Sequence, residues 1–346
     1  MTCRIEPIDV AGEAEWDAYV NGSANATLFH QAAWRHIVEG VYGHTGIYLA
    51  ARKSDRLCGI LPIFRCGNRF VGRTMVALPF AATQPSVCAD DDQSEILLIE
   101  AAETIARQHG AEAIELREAR KKPWNWQPVQ SYMNVQLALD PDPDIVWRKR
   151  VESRVRTKVK GAQRGGLQFR WAGIEDLDVF FDIYTHTMHR LGSPPHCRRL
   201  FEQVLLSYPS HSAIAVVSSD SKPVASAIVM HSEKWIGFPW AGSLEWAHAL
   251  RPNNLLYWKI IEYACLNGYR SLDLGRSPAG SGSLHFKCQW GGVAEPLWYY
   301  RKTIGNRVVE VRDASDPTMR AASRLWRILP RKLSTNLGPH LARLIP

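Results

Sequence analysis

Short apolar segments at two places in the chain predict two β-hairpins. Residues 46–51 and 57–64 form one strand pair around a polar turn, and residues 213–217 and 224–230 form the other. Each hairpin is followed by an amphipathic helix, a closing glycine and a further strand: 94–109, Gly110 and 113–116, then 254–267, Gly268 and 271–274. The repeated order indicates two copies of one α/β unit. Chance recurrence of such units in an α/β chain is the alternative.

The two halves are separated by residues 140–143, where two Asp-Pro pairs interrupt regular structure. Val151, Val155 and Val159 then recur every four residues, which predicts one helix over 145–160 whose remaining faces are basic. We therefore expect a first lobe at 1–143, a second lobe at 144–310 that opens with the basic helix, and an amphipathic basic tail at 311–346.

Composition narrows the class of protein. The chain has 346 residues, 46% of them hydrophobic and 22% charged, which is typical of a globular protein and argues against a mainly disordered one. No apolar run reaches the ~20 residues of a membrane span, and the first residues lack the apolar core of a signal peptide. We expect a cytoplasmic protein whose seven cysteines are free, mostly buried thiols.

The positive charge is concentrated in two segments. Residues 147–170 hold nine basic and one acidic residue, and residues 301–346 hold ten basic and three acidic. Such patches attract phosphates, nucleic acid or anionic lipid headgroups. The basic helix can hold a tRNA backbone through Arg148, Lys149, Arg154 and Lys158, or it is an ordinary solvated face. The tail from 317 either lies on an anionic membrane or packs against the protein. We expect no DNA partner.

Candidate chemistry is densest between residues 271 and 292. Leu272 and Leu274 alternate with Asp273 along a strand, so the aspartate faces away from the leucines. A glycine-rich loop and a short aromatic and basic segment follow: Arg276, Ser277, Gly280, Ser281 and Gly282, then Phe286, Lys287 and Trp290. Such a loop, flanked by arginine and lysine, can hold an anion or a developing oxyanion. A glycine and serine loop taken alone is usually only a turn.

Several segments carry a resemblance to a known family. They are residues 252–258, 273–277, 280–282, 286–287, 290–291 and 296–297, together with 29–34, 43–45, 59–62, 72–73, 78–80 and 190–194. Over roughly residues 25–300 the chain resembles the FemAB-like family of aminoacyl- and acyltransferases, and most of all the subgroup associated with exosortase and PEP-CTERM systems in bacteria that make exopolysaccharide. The resemblance implies two tandem GNAT-like domains, each a mixed twisted sheet with flanking helices.

The resemblance also implies a mechanism and roles for individual residues. An amine attacks the ester or thioester carbonyl of the donor directly, and Lys287 stabilises the oxyanion. Phe286 shapes the pocket, and Asp273 orients the amine or Arg276, or accepts a proton. Substrate contacts come from Arg276 and the loop that follows it, with Trp290, Arg73 and Trp34 as further contacts. For each role a structural alternative remains: Lys287 on the surface, Asp273 paired with Arg276, Arg73 solvated at a strand end, and Trp34 in the core.

The donor and the acceptor stay open at this point. We expect no bound cofactor, and no metal site, because His186 and His189 lack a third ligand. The donor is aminoacyl-tRNA or acyl-CoA, and the acceptor is an amine of a cell-envelope or exopolysaccharide precursor such as peptidoglycan. Residues 35–38 lack the lysine that peptidoglycan enzymes carry after the early tryptophan, and no standard acetyl-CoA loop is present. An acetyl-CoA-dependent acetyltransferase of an amino sugar or small amine, and a catalytically silent binding module, are the alternatives.

Overall fold

The computed structural model describes residues 3–68, 72–81, 85–233, 235–305 and 316–345. In chain order the strands are β1 (Cys3–Ile8), β2 (Thr45–Lys53), β3 (Arg56–Asn68), β4 (Gly72–Ala77), β5 (Cys88–Ala89), β6 (Ala113–Glu118), β7 (Pro128–Val129), β8 (Tyr132–Ala138), β9 (Gln168–Ala172), β10 (Ser212–Ser219), β11 (Lys222–His231), β12 (Ile236–Ser243), β13 (Ser271–Pro278), β14 (Val293–Pro296) and β15 (Trp298–Thr303). The α-helices are α1 (Glu13–Gly22), α2 (Ala32–Tyr42), α3 (Asp92–Gln108), α4 (Pro143–Lys149), α5 (Ser153–Arg164), α6 (Leu177–Leu191), α7 (Arg198–Ser207), α8 (Pro252–Leu266), α9 (Gly282–Cys288), α10 (Pro317–Ile328) and α11 (Arg331–Ala342).

These elements form two compact units. The first takes its described residues from Met1–Ser131, Pro296–Arg312 and Arg343–Pro346, and the second from Tyr132–Glu295 and Asp313–Ala342. The sheet of the first unit has the order β1-β2-β3-β4-β6-β15-β7, with β5 paired to β3. Strands β1 to β4 are antiparallel neighbours, whereas β4 and β6 run parallel. Helix α3 buries Leu98, Ala102 and Ala106 against this sheet, as the apolar stripe of an amphipathic helix should.

The sheet of the second unit repeats this plan. Its order is β14-β8-β13-β12-β11-β10-β9, and β12 and β13 form the parallel pair. One face packs on α8 and α5 in a core that contains Val155, Val159, Leu256, Ile260 and Leu272. Helix α6 lies against β11 and β12, where a Cβ on Gly242 would lie 2.6 Å from the Thr187 hydroxyl and 3.0 Å from the Ile183 carbonyl oxygen. The helices therefore flank a mixed sheet, and the expectation of two mixed α/β sheets is confirmed.

The predicted repeat corresponds to real elements. Its hairpins are β2–β3 and β10–β11, and its helices are α3 and α8. Gly110 and Gly268 follow these helices at φ +60° and +75°. Only glycine adopts this left-handed conformation without strain, which is why it closes both helices. Strands β6 and β13 then occupy the same place in their sheets.

Each sheet also takes a strand from the other half of the chain. In the first unit β15 pairs with β6, and in the second β8 pairs with β13. The expected lobes at 1–143 and 144–310 followed chain order, so they separate β8 and β15 from the sheets that these strands join. A hydrophobic pattern predicts a strand but does not name its partner, because pairing is decided by tertiary contacts.

The basic helix predicted over 145–160 is two helices. Helix α4 ends at Lys149 and α5 begins at Ser153. Between them Glu152 adopts an extended ψ of 144°, and its backbone N–H donates to the Gln289 carbonyl at 3.0 Å. The valine stripe is still buried, with Val151, Val155 and Val159 at most 2% exposed. The valine recurrence predicts the buried face correctly. The break between the helices accompanies a contact with Gln289, more than 130 residues away in the chain.

The described part of the tail forms α10 and α11, which pack on α6; residues 311–315 lie outside the described residues. Trp326 is buried, His189 Nε2 lies 2.8 Å from the Leu329 carbonyl, and the Arg331 guanidinium lies 2.7 Å from the Asp182 carboxylate. One face of the tail therefore packs against the protein. No helix of the described residues is long and apolar enough to cross a membrane. All seven cysteines are free, and four of them are buried, in agreement with the sequence.

Candidate active site

A β-bulge in β13 organises the candidate site of the second unit. Asp273 pairs with Gln136 on β8, but Arg276 pairs with Asn134, so Leu274 and Gly275 together oppose a single residue. In a regular strand residues three apart point to opposite faces. The bulge instead places Asp273 and Arg276 on one face, because their partners on β8 are two residues apart. Leu272 and Leu274 face the other way, into the α8 core, as the alternation predicted.

Lys287 reaches this bulge from α9. The Ser281 hydroxyl accepts the backbone N–H of Leu284 at 3.2 Å and caps the start of the helix. One turn and a half later Lys287 Nζ donates to the Gly275 carbonyl at 3.0 Å and to the Arg276 carbonyl at 2.9 Å. Burial lowers the pKa of Lys287 to about 8, against the opposing pull of the Asp273 carboxylate. The ammonium is thus held at the bulge and not displayed on an open surface.

Asp273 is buried beside the same bulge. Its Oδ1 accepts the Gly275 backbone N–H at 2.7 Å, and its Oδ2 accepts the Trp235 indole N–H at 3.3 Å. Asp273 is also the register partner of Gly237, the one pair that the described residues of β12 and β13 make. The carboxylate therefore fixes the local backbone where the two parallel strands meet.

Three residues near Arg276 and Asp273 were missed by sequence reasoning: Tyr132, His196 and Trp235. The Arg276 guanidinium is centred 5.4 Å from the ring of Tyr132, a cation–π distance. His196, in the segment between α6 and α7, is partly buried, and its desolvation together with the Arg276 charge lowers its pKa to about 4. Trp235, from the segment before β12, reaches the site through its hydrogen bond to Asp273. The only sequence signal for His196 is its position two residues after the family-like segment 190–194.

The loop after β13 is open. A Cβ on Gly280 or Gly282 would meet no atom within 4 Å, so neither glycine is required by packing, although Gly280 has φ +69°. The Ser281 hydroxyl serves the helix cap. Ser277, by contrast, is 1% exposed, and its hydroxyl has no hydrogen-bond partner among the described residues. A buried hydroxyl without a partner is uncommon, which singles out Ser277 within the loop.

The aromatic candidates are mostly core residues. Phe286 packs edge-on against Tyr257 with ring centres 5.0 Å apart, and Trp290 stacks on the same tyrosine at 5.7 Å. Trp290 is fully buried, as is Trp34 of the first unit, whose indole N–H donates to the Pro79 carbonyl at 3.3 Å. Neither tryptophan has accessible surface in this structure, and both pack in the core; direct substrate contact by Trp34 and Trp290 stays a prediction.

The remaining candidates are spread over other elements. Arg73 is exposed on β4 of the first unit. Arg148 pairs with Asp144 at 3.4 Å and Arg154 with Glu152 at 2.5 Å. Lys149 is exposed at the end of α4. The proposed backbone-binding cations thus lie on two short helices, and two of them have local acidic partners.

Lys158 instead lines a groove between α5 and the start of α8. The groove has a volume of about 330 Å³ and is lined by Thr157, Lys158, Gly161, Gly165, Ala249, Leu250 and Arg251. Arg251 is the N-cap of α8, with φ +64°. Two cations beside a helix N-terminus favour an anionic ligand. Among the described residues no group of three His, Cys, Asp or Glu side chains could hold a metal ion.

Comparisons with known proteins agree with this architecture. Residues 148–287 match the family described as acetyltransferase (GNAT) domain. FemX is similar in structure, with a TM-score of 0.65 and 13% identity over 85% of this chain and 97% of that one. A tandem GNAT protein from the clavulanic acid biosynthesis pathway has a TM-score of 0.56 and 10% identity over 89% and 100% of the two chains. The fold is a tandem GNAT fold.

L-PGS from Bacillus licheniformis is also similar in structure, with a TM-score of 0.56 and 13% identity over 94% of this chain and 99% of that one. No curated protein matches in sequence. The GNAT match lies within the second unit and spans both the groove at Lys158 and the bulge at Lys287. The two candidate parts of the site therefore belong to one GNAT unit.

Proposed function

We propose that the protein is an N-acyltransferase that passes an aminoacyl or acyl group to an amine at the bulge of the second unit. The observation that carries the proposal is the Lys287 ammonium, held 3.0 and 2.9 Å from two carbonyls of a bulge that also presents Asp273 and Arg276 on one face. The GNAT match over residues 148–287 supports the reaction class.

The reaction is a direct transfer. The amine nitrogen attacks the ester or thioester carbonyl carbon, the new C–N bond forms, and negative charge develops on the carbonyl oxygen. The bond to the departing oxygen or sulfur then breaks. The proton lost by the nitrogen balances the one gained by the leaving group. A cation placed at the developing oxyanion lowers the barrier, which is the role proposed for Lys287. With a pKa of about 8 the lysine is mostly protonated at neutral pH.

Aminoacyl-tRNA is the donor that we propose first. The resemblance to the FemAB-like family and the structural likeness to FemX support it, as do the basic residues of α4 and α5. The acceptor in this proposal is an amine of a cell-envelope or exopolysaccharide precursor, which rests on the same resemblance. Arg276 is exposed beside the bulge and can hold a phosphate or carboxylate of that acceptor.

Acyl-CoA is the second candidate donor, and one observation favours it. The groove between α5 and α8 brings Lys158 and Arg251 to a helix N-terminus, where a compact group of phosphates would be stabilised. With this donor the acceptor would be an amino sugar or a small amine. A tRNA end carries phosphates as well, so the groove alone does not decide between the two donors.

A binding experiment distinguishes the two donors. The purified protein is tested with aminoacyl-tRNA, uncharged tRNA and acetyl-CoA at one salt concentration. Preference for aminoacyl-tRNA over uncharged tRNA, lost in a Lys158→Ala, Arg154→Ala variant, supports the first donor. Binding of acetyl-CoA alone, lost in Arg251→Ala, supports the second. An exposed lysine outside both regions, Lys222, provides the matched control substitution. Binding without turnover of any donor would identify a silent binding module and contradict the proposal.

A further inference from the structure

Helices α10 and α11 each carry an apolar face that the protein does not cover. Leu325 and Ile328 of α10 are 67% and 79% exposed, and Leu333, Leu337 and Leu341 of α11 are 49%, 48% and 41% exposed. The α11 leucines recur every four residues and so form a single stripe. Isolated exposed leucines are common on protein surfaces, but contiguous stripes mark interaction sites.

These stripes are not the faces that hold the helices in place. Helix α10 contacts α6 and buries Trp326, and the Arg327 guanidinium donates to the Leu191 carbonyl at 3.2 Å. Helix α11 buries Ser334, Gly338 and Ala342; a Cβ on Gly338 would lie 2.3 Å from Pro195. Because other residues serve the packing, the leucine stripes can be changed without removing the contacts that anchor the helices.

The charged residues of the two helices themselves are all basic. From 317 to 342 the sequence contains five basic residues and no aspartate or glutamate. Arg320 and Arg324, four residues apart, share one face of α10 and are exposed, and Lys332 is exposed on α11. Apolar stripes on helices whose own charged residues are all basic match the chemistry of an anionic bilayer surface, where acyl chains lie just beneath phosphate headgroups.

We propose that the exposed faces of α10 and α11 form a docking surface for an anionic membrane. The helices lie in the plane of the interface, the leucine and isoleucine side chains enter the acyl boundary, and Arg320, Arg324 and Lys332 meet the headgroup phosphates. Docking is peripheral, in keeping with the absence of a membrane-spanning helix among the described residues. This inference is independent of the proposed transferase activity.

Vesicle co-sedimentation of the full chain tests the surface. Vesicles containing about 30 mol% phosphatidylglycerol are compared with pure phosphatidylcholine at low and high salt, and we expect binding at least about tenfold stronger on the anionic vesicles and weakened by salt. Leu325→Ser with Ile328→Ser, and Leu333→Ser with Leu337→Ser, should each lower that binding by about tenfold or more. Arg320→Gln with Arg324→Gln should lower it and flatten its salt dependence.

Matched controls use surface residues on other helices. Leu206 and Leu266 are 56% and 68% exposed on α7 and α8, and their serine variants should bind vesicles as the unchanged chain does. Thermal unfolding of every variant checks that the protein is folded. Absence of anionic binding, equal binding to both vesicles, or equal loss in the controls would overturn the proposal. So would a concentration-dependent dimer that the stripe variants abolish, since a second copy would then be the occupant.

Discussion

Lys287 combines a structural and a chemical role in one side chain. An ammonium has three N–H donors, and the carbonyls of Gly275 and Arg276 accept two of them. In the described part of the chain this leaves one donor for an oxygen of the substrate. The two carbonyls fix the direction of that donor, and preorganised donors are more effective than donors that must reorient during the reaction.

Replacement of Lys287 tests this directly. We expect Lys287→Ala to lower turnover by about 10² to 10³, the usual cost of losing an oxyanion donor, while leaving the protein folded. Turnover and thermal unfolding are measured together. Lys259→Ala is the matched control, because Lys259 pairs with Glu262 on α8 and lies outside the site. Unchanged turnover in a folded Lys287→Ala protein would contradict the assignment.

The pH dependence separates a cation from a base at this position. The pKa of Lys287 is lowered from 10.5 to about 8 by burial. If the lysine acts as a cation, kcat/KM falls as the pH rises through about 8; a rise there would show that it acts as a base. The unfolded chain holds this proton more tightly, so the free energy of unfolding contributed by Lys287 rises between pH 8 and 10.5. Activity and the Lys287 contribution to stability should therefore change in opposite directions.

The sequence predicts part of the site and misses part of it. Asp273, Arg276 and Lys287 lie within fifteen residues of one another, so alternation and a local motif are enough to propose them. His196 and Trp235 come from segments far away in the chain and reach the site only through the fold. Trp34 and Trp290 illustrate a different limit: the sequence identifies them as candidates, but it does not show that they are buried. A large aromatic residue in a motif can pack in the core or contact a ligand, and its burial is known only from the structure.

At the scale of the element, the bulge in β13 is the feature on which the site depends. Gly275 has φ +79°, and a Cβ there would lie 3.6 Å from Lys287 Nζ. Gly280 has φ +69° and open space around it. Alanine at either glycine should lower the free energy of unfolding by about 1–2 kcal/mol, the cost of left-handed backbone.

Only one of these two substitutions should affect the reaction. We expect Gly275→Ala to lower turnover as well, because it strains the carbonyls that hold Lys287, whereas Gly280→Ala should leave turnover near normal. Urea unfolding and steady-state turnover of both variants provide the comparison. Equal loss of turnover would mean that loop stiffness, and not the bulge, governs the site.

The boundary between α4 and α5 could not be predicted from the periodicity of apolar residues. The four-residue recurrence of valines identified the buried face of α5 correctly, and it also extended the helix through residues 150–152. There Gly291, at φ +84°, approaches so closely that a Cβ would lie 2.7 Å from the Arg150 carbonyl oxygen. The chain turns to admit that contact. Tertiary contacts of this kind override local propensity and leave no trace in a local pattern.

At the scale of the whole molecule, the exchange of β8 and β15 makes the halves of the chain incomplete. A fragment of residues 144–346 lacks β8, so β13 becomes an open edge, whereas a fragment of 132–346 retains it. We expect the longer fragment to unfold cooperatively in urea at a clearly higher midpoint, and the shorter one to aggregate or unfold earlier. Circular dichroism and light scattering report both properties. Equal midpoints would show that β8 contributes little to the second sheet.

The same exchange has a consequence for synthesis on the ribosome. Strands β1 to β6 of the first sheet have been made by residue 118, yet β15, which pairs with β6, begins at residue 298. During the translation of about half the protein the emerging first unit carries an unpaired β6 edge, the kind of edge that promotes association between chains. The strands of both sheets become complete within a few residues of each other, at 296 and 303. The order of translation therefore means that neither sheet can close until residues 296–303 have been made.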